Sequence, residues 1–289
     1  MSARKLQLRA DVKVSGNSRR KTVVRHRTVA NMTDALAIAC EDERHECRAS
    51  VTGSESFTGT EKIHTYRDML RDGWSLGVQD VEGLDGLSTD ASEKLSFVRG
   101  VGGAFPIVPA HLAGAPDAML MPTHLAVDNV RGLTLVIDGA FNCSINSETV
   151  KEYAHSVMRL VAWLQAEQIE TAIYISIAMQ HAGGRYVYAV PVRQAGDIMQ
   201  PERIAALVHP SFLRRAWFAL LEHEHFEHDL VGTDLINNCY GYPSTATAEE
   251  IQVVIPEAYS VVMLPKAGNG DPLKAVQESD TFKLRHEGS

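Results

Sequence analysis

The stretch from Leu133 to Val192 constrains this chain most. Leu133-Thr-Leu-Val-Ile-Asp138 is an apolar run of strand length. Between Asn146 and Gln168, the positions Val150, Tyr153, Ala154, Val157, Leu160, Val161 and Leu164 recur at helical spacing and predict one long amphipathic helix. Thr171-Ala-Ile-Tyr-Ile-Ser-Ile-Ala-Met179 is a second apolar, β-branched run. Strand, helix and strand in this order make the building block of a parallel sheet covered by helices. His181-Ala-Gly-Gly-Arg185 then reads as a turn into a further strand, Tyr186–Val192. That pair predicts a hairpin, so the sheet is expected to be mixed and the fold class α/β (α+β).

Charge is distributed unevenly around this core. Residues 1–27 hold nine cations (Arg4, Lys5, Arg9, Lys13, Arg19, Arg20, Lys21, Arg25 and Arg27) and one acid, Asp11, for a net +8. The whole chain of 289 residues carries −8, so the remainder carries −16. A basic arm on an acidic body points to nucleic acid, or to an acidic neighbouring subunit. The arm is patterned. Leu6, Leu8, Ala10, Val12 and Val14 alternate with Lys5, Gln7, Arg9, Asp11 and Lys13, and Ser15-Gly-Asn-Ser18 is a turn before a returning strand from Lys21 to Val29. A β-hairpin with one apolar and one cationic face is expected. It contains no aromatic residue, so any base stacking must come from elsewhere.

The remaining segments sort into short elements. Thr33 caps a predicted helix with Leu36, Ala39, Cys40 and Cys47 inward, Ser54–Thr60 is a loop, and Glu61–Arg71 is a helix stopped at Gly73. Residues 77–103 read as glycine-rich and irregular, and Phe105–Pro109 as a Pro-punctuated connection. Pro201–Leu207 and Ser211–Glu224 are predicted helices, and Glu250–Ile255 and Tyr259–Leu264 late strands. The expected organisation is a basic hairpin over residues 1–30, a single α/β core over 31–265, and a polar tail or arm over 266–289. The four cysteines are scattered and read as reduced thiols. No apolar run reaches transmembrane length, and the first residues lack the apolar segment of a signal peptide.

Three motifs invite enzymatic readings. Gly100-Val-Gly-Gly103 lacks both the third glycine of a dinucleotide fingerprint and the Gly-Lys-Ser/Thr ending of a phosphate loop, so it reads as a turn. Asp138-Gly-Ala-Phe-Asn142 follows the first central strand, where a metal-binding Asp-x-Ser-x-Ser would sit, but both serines are missing. Asp138 is therefore expected to be a turn or cap residue. His223, His225 and His228 have a spacing that opens some binuclear metallohydrolase sites. They continue a predicted helix instead of following a strand, and His at a helix end suits the dipole. No metal and no cofactor are expected. Trp74, Trp163 and Trp217 are expected in the core.

Several segments together resemble a phage protein family of mostly unknown function. They are Ser56-Phe-Thr-Gly-Thr60 with Asp72-Gly-Trp74, the Gly102–Met119 stretch, the Leu133–Ile177 core, which looks A-domain-like, and His209-Pro-Ser-Phe-Leu-Arg-Arg-Ala-Trp-Phe-Ala-Leu-Leu-Glu222. The resemblance is closest to the single-stranded-DNA-binding transcription cofactor of podoviruses that package a virion RNA polymerase. It implies sequence-independent binding of single-stranded DNA, self-association with a tetramer as one expected form, a phage RNA polymerase as partner, and a place in the cytoplasm of the infected host cell. The expectation is a non-enzymatic protein with no membrane partner. The arm lies outside the resembling segments, and its nine cations are assigned to DNA contact from charge alone. Arg214 and Arg215 on the late helix join them, with a helix salt bridge or packing onto Glu neighbours as the alternative. Two alternatives are a metal-dependent hydrolase using His223, His225 and His228, and an assembly protein whose arm grips a neighbouring subunit.

Overall fold

Leu133–Asp138 (β6) forms a strand whose six residues are all buried, as expected of a strand covered on both faces. The computed structural model describes residues 8–11, 21–27, 36–37, 39–40, 53–81, 96–100, 105–112, 115, 119–123, 132–167, 169–181, 184–195, 197, 199–220, 242–255, 258, 260–280 and 282. Helix α4 (Ser147–Ala166) follows β6. Its first turn is closed by the Asn146 side chain, which accepts from the Thr149 N–H at 2.8 Å. The expected stripe of Val150, Tyr153, Ala154, Val157, Leu160, Val161 and Leu164 is buried. Thr171–His181 (β7) returns parallel to β6, and Gly184–Arg193 (β8) folds back antiparallel. The fold is α/β with a mixed sheet.

The other strands extend that sheet on both sides. Leu8–Asp11 (β1) and Lys21–Arg27 (β2) are antiparallel to each other, and β2 runs parallel to β8. Val261–Met263 (β10) lies parallel to β6, while Tyr242–Ser244 (β9) pairs with the end of β7. The sheet order is β1-β2-β8-β7-β6-β10, with β9 attached to β7. The predicted hairpin is thus present, and it is hydrogen-bonded into the central sheet as its outer two strands.

One face of the sheet, through Leu135, Ile137, Ile175, Tyr188 and Val190, packs with α4, Pro201–Val208 (α5) and Trp217 in the main core. Each fully buried side chain of this kind contributes about 1.5–3 kcal/mol. The other face, through Val136, Tyr174, Val187 and Ala189, packs under Ala248–Val254 (α6). This last element corrects the strand expected over Glu250–Ile255. Thr247 Oγ1 accepts from the Glu250 N–H, and the Glu250 carboxylate accepts from the Thr247 N–H. That reciprocal capping box starts a helix despite the β-branched composition.

Residues 266–289, expected as a polar tail, include a docked helix instead. Pro272–Glu278 (α7) is capped by Asp271, packs on α4 and buries Val276, and Phe282 lies against Trp163 with ring centroids 5.4 Å apart. Near the other end, Glu55–Thr58 (α1) is a short helix within the predicted loop, and Ile63–Asp72 (α2) matches the predicted helix. Leu36, Ala39 and Cys40 are buried as expected, while Cys47 lies outside the described residues.

Residues 89–131 form a second compact unit. It holds a three-stranded antiparallel sheet, Ser96–Gly100 (β3), Met119–Thr123 (β5) and Phe105–Pro106 (β4), with the short helix Val108–Leu112 (α3). The chain expected as one core with an irregular 77–103 segment therefore contains two units.

Candidate functional site

Four of the nine arm cations lie on described strands: Arg9 on β1, and Lys21, Arg25 and Arg27 on β2. Arg4, Lys5, Lys13, Arg19 and Arg20 lie outside the described residues. The register pairs Leu8 with Arg27, Arg9 with His26, and Ala10 with Arg25. Paired positions share a face of a sheet. Arg25 and Arg27 thus share a face with Leu8 and Ala10, and Arg9 falls on the opposite one. The expected split into one apolar and one cationic face does not occur. The cationic positions straddle the outer rim of the sheet instead.

Arg214 and Arg215, expected on the same surface, are interior residues with side chains 1% and 0% exposed. They lie on a π-helical turn, Phe212–Trp217, within the predicted late helix. Arg214 donates to the carbonyls of Phe57, Asn142 (3.0 Å) and Ile145 (2.8 Å), and its guanidinium sits 4.2 Å from the Phe57 ring centroid. Arg215 donates to Thr60 Oγ1 (2.9 Å) and to the carbonyls of Gly53 (3.0 Å), Thr60 (2.6 Å) and Glu61 (3.1 Å). Burial lowers both guanidinium pKa values, that of Arg214 to about 10, so Arg214 stays charged at neutral pH. A fork of donors that meets several carbonyls at once suits Arg better than Lys. The correction has a simple cause: at these two positions charge is neutralised by backbone dipoles, and the residues act as struts.

The two struts join sequence motifs more than 140 residues apart. Ser211 Oγ lies 2.9 Å from Thr60 Oγ1 and donates to the Thr58 carbonyl, while Thr58 Oγ1 donates to the carbonyls of Ser54 (2.9 Å) and Thr60 (2.8 Å). Gly59 has φ +80°, and a Cβ there would lie 2.5 Å from Pro210 Cγ and 2.9 Å from His209 Cε1. Only glycine fits that turn. His209 stacks on Tyr66 (5.6 Å) and meets the edge of Trp74 (4.7 Å), and its Nδ1 accepts from the Ser211 N–H at 3.1 Å. Burial, with a smaller contribution from the Lys151 charge, pushes its pKa down to about 3, so the imidazole is neutral. Tyr66 donates its hydroxyl to the Ala206 carbonyl. The segments around Gly59 and Pro210 therefore build a packed junction.

Asp138 ends β6 and is 1% exposed. Its Oδ1 accepts from the Ala140 N–H at 3.0 Å, and Lys266 Nζ lies 3.5 Å from Oδ2. The carboxyl is raised above its usual range by burial, against the opposing charge of Lys266. Burial, and secondarily the Asp138 charge, also raise the Tyr153 hydroxyl. Asp138 caps the turn and pairs with a lysine, in line with the missing serines. Among the described residues, no group of three or more His, Cys, Asp or Glu side chains is arranged to hold a metal ion. His223, His225 and His228 lie outside the described residues. Trp74 and Trp217 are buried and Trp163 half-buried, as the sequence predicted.

No helix among the described residues is long and apolar enough to cross a membrane. No curated protein and no solved structure matches the chain. Residues 17–264 match the family model of DUF7192, a domain of unknown function, and the chain belongs to that family.

Proposed function

We propose that this protein binds single-stranded DNA without sequence preference, through the cations at the outer rim of its central sheet. The observation that carries the reading is the net +8 of residues 1–27 on a chain of net −8, with part of that segment built into β1 and β2. An acidic body repels a polyanion, so binding needs cations gathered in one place, and a hydrogen-bonded sheet rim gathers them. The resemblance to the podovirus cofactor supports a non-enzymatic role in phage transcription, with a phage RNA polymerase and further copies of the chain as partners in the host cytoplasm. Arg214 and Arg215 leave the DNA-contacting set, and Arg9, Lys21, Arg25 and Arg27 stay in it with the undescribed arm cations.

The test is binding of labelled single-stranded and duplex DNA of equal length at several salt concentrations. Preference for the single strand is expected, with log affinity falling against log salt by about 0.7 per phosphate contacted. Equal affinity for both forms, or affinity flat with salt, defeats the reading. A second reading rests on β1 being, among the described residues, the last strand of the sheet order. An outer strand offers unpaired backbone groups to another chain. If charge-neutral variants of Lys21, Arg25 and Arg27 lose self-association and keep DNA affinity, the rim is an assembly surface.

A further inference from the structure

We propose that the single strand runs along one face of β2, the face opposite α6, with Lys21, Arg25 and Arg27 on its phosphates and Tyr186 of β8 under one of its bases. The inference rests on the single-strand reading above and narrows it from the whole rim to one side. The register fixes the sides. Val24 pairs with Val187 and His26 with Ala189, and Val187 and Ala189 belong to the cluster under α6. Thr22, Val24 and His26 therefore lie on the α6 face, and Lys21, Val23, Arg25 and Arg27 on the other.

Charge separates the two faces. Opposite α6, the positions of β1, β2 and β8 include Lys21, Arg25 and Arg27 and no Asp or Glu. On the α6 face, Arg9 pairs with His26 and shares its side of β1 with Asp11, and Arg185 pairs with Thr22. The first turn of α6 adds Glu249 and Glu250 there. Helix α6 packs against both β2 and β8. A helix that covers these strands and brings two carboxylates keeps a polyanion off that face. The opposite face offers three cations on one strand with no acid among its neighbours in the sheet.

The same face supplies the aromatic position that the hairpin lacks. Between residues 1 and 27 there is no Phe, Trp or Tyr. Tyr186 pairs with Val23, which sets it diagonally between Lys21 and Arg25. Its partner on β7, Met179, is 4% exposed and belongs to the main core. The next β8 position on this face, Tyr188, is buried and meets the edge of the Trp217 ring at 5.3 Å. Tyr186 thus stands between the core and the cationic track. Alternate residues of a strand lie about 6.6 Å apart, so Lys21 to Arg27 spans about 20 Å. A single-strand footprint of about 4–16 nucleotides covers that length. A ring beside backbone-tracking cations serves sequence-independent binding, because every base has a face to stack.

The experiment measures binding of the full-length protein to a labelled oligothymidylate at several salt concentrations, with far-UV circular dichroism as the check on folding. The slope of log affinity against log salt reads the phosphate contacts. Lys21→Gln and Arg25→Gln, each alone, are expected to lower its magnitude by about 0.7, and the two combined with Arg27→Gln by about 2. Arg9→Gln, on the α6 face, leaves the slope as in the parent. Tyr186→Leu keeps apolar bulk without the ring and is expected to weaken binding about 5- to 100-fold with the slope unchanged, while Tyr186→Phe stays within about twofold. If Arg9→Gln lowers the slope as far as Arg25→Gln, the strand straddles the rim, and the one-face assignment is overturned while the nucleic-acid reading stands. If Lys21→Gln and Arg25→Gln keep the parent slope, the assignment is overturned as well. If Tyr186→Leu folds and binds as the parent does, the stacking contact is overturned. Should Tyr186→Leu fail to fold, Tyr186→Trp carries that arm: quenching by the oligonucleotide beyond that of the parent's own tryptophans is expected, and its absence overturns the contact. If the parent fails to bind at any salt, both readings fall together.

Discussion

Replacing Arg214 with Met separates two roles that the same residue could be given. Met keeps most of the aliphatic volume and loses the guanidinium. Three carbonyls, of Phe57, Asn142 and Ile145, then lose their donor, and the Phe57 ring loses its cation. Each partly buried carbonyl left without a donor costs about 1 kcal/mol, the low end of the range, because water can reach it in part. The cation–π contact adds roughly 1 kcal/mol. Against this, a charge no longer has to be held out of water, which returns part of the loss. The net expectation is a destabilisation of about 2–4 kcal/mol, seen as a fall in thermal midpoint of about 3–7 °C. Urea and thermal unfolding followed by circular dichroism measure it. Affinity for single-stranded DNA, corrected for the folded fraction, is expected to stay within about twofold, since a buried strut touches no phosphate. A variant as stable as the parent within about 0.5 kcal/mol, or one that folds fully and loses DNA binding, refutes the assignment of Arg214 as a strut.

Gly59→Ala forces a side chain into a left-handed turn and against Pro210, and is expected to cost about 2–4 kcal/mol by the same unfolding assay. Thr247→Ala removes one half of the capping box over α6 and should cost about 1 kcal/mol; an unchanged urea midpoint would show that packing alone holds that helix. His209 has its folded pKa lowered from 6.5 to about 3, so the unfolded chain binds its proton first as pH falls. Stability from this group is therefore full above about pH 6.5 and declines toward pH 3, by at most about 1.4 kcal/mol per pH unit. His209→Gln should flatten that limb of the stability–pH curve, and parallel curves for parent and variant would contradict the buried, neutral imidazole.

Much of the centre was legible because its periodicities are strong. The apolar runs at Leu133 and Thr171 and the stripe from Val150 to Leu164 match the observed β6, β7 and α4. At Glu250–Ile255, β-branched composition outweighed a capping box that was written in the chain as Thr247-Ala-Glu-Glu250. Asp271-Pro272 was a similar start signal for α7, hidden by the polarity of the helix it opens. Faces of the basic hairpin were not legible, because alternation within one strand says nothing about its register against the next. Adjacent arginines on a predicted helix, Arg214 and Arg215, read as an extension of the cationic surface. Their carbonyl partners come from residues 53–61 and 142–145, and no local pattern announces such distant contacts. Lys266 as the partner of Asp138 was missed for the same reason.

The parallel pairing of β2 with β8 also sets a timetable for synthesis. His26 waits for Ala189, about 160 residues later in the chain. At translation rates of about 5–20 residues per second, that interval is roughly 8–30 s. During it the first basic strands have left the ribosome without the neighbour they will pair with. The rim proposed to meet DNA thus closes only after β8 is made, before β9 and β10 join the sheet, and a nascent chain halted before residue 184 would present its cations without the strand that β2 pairs with.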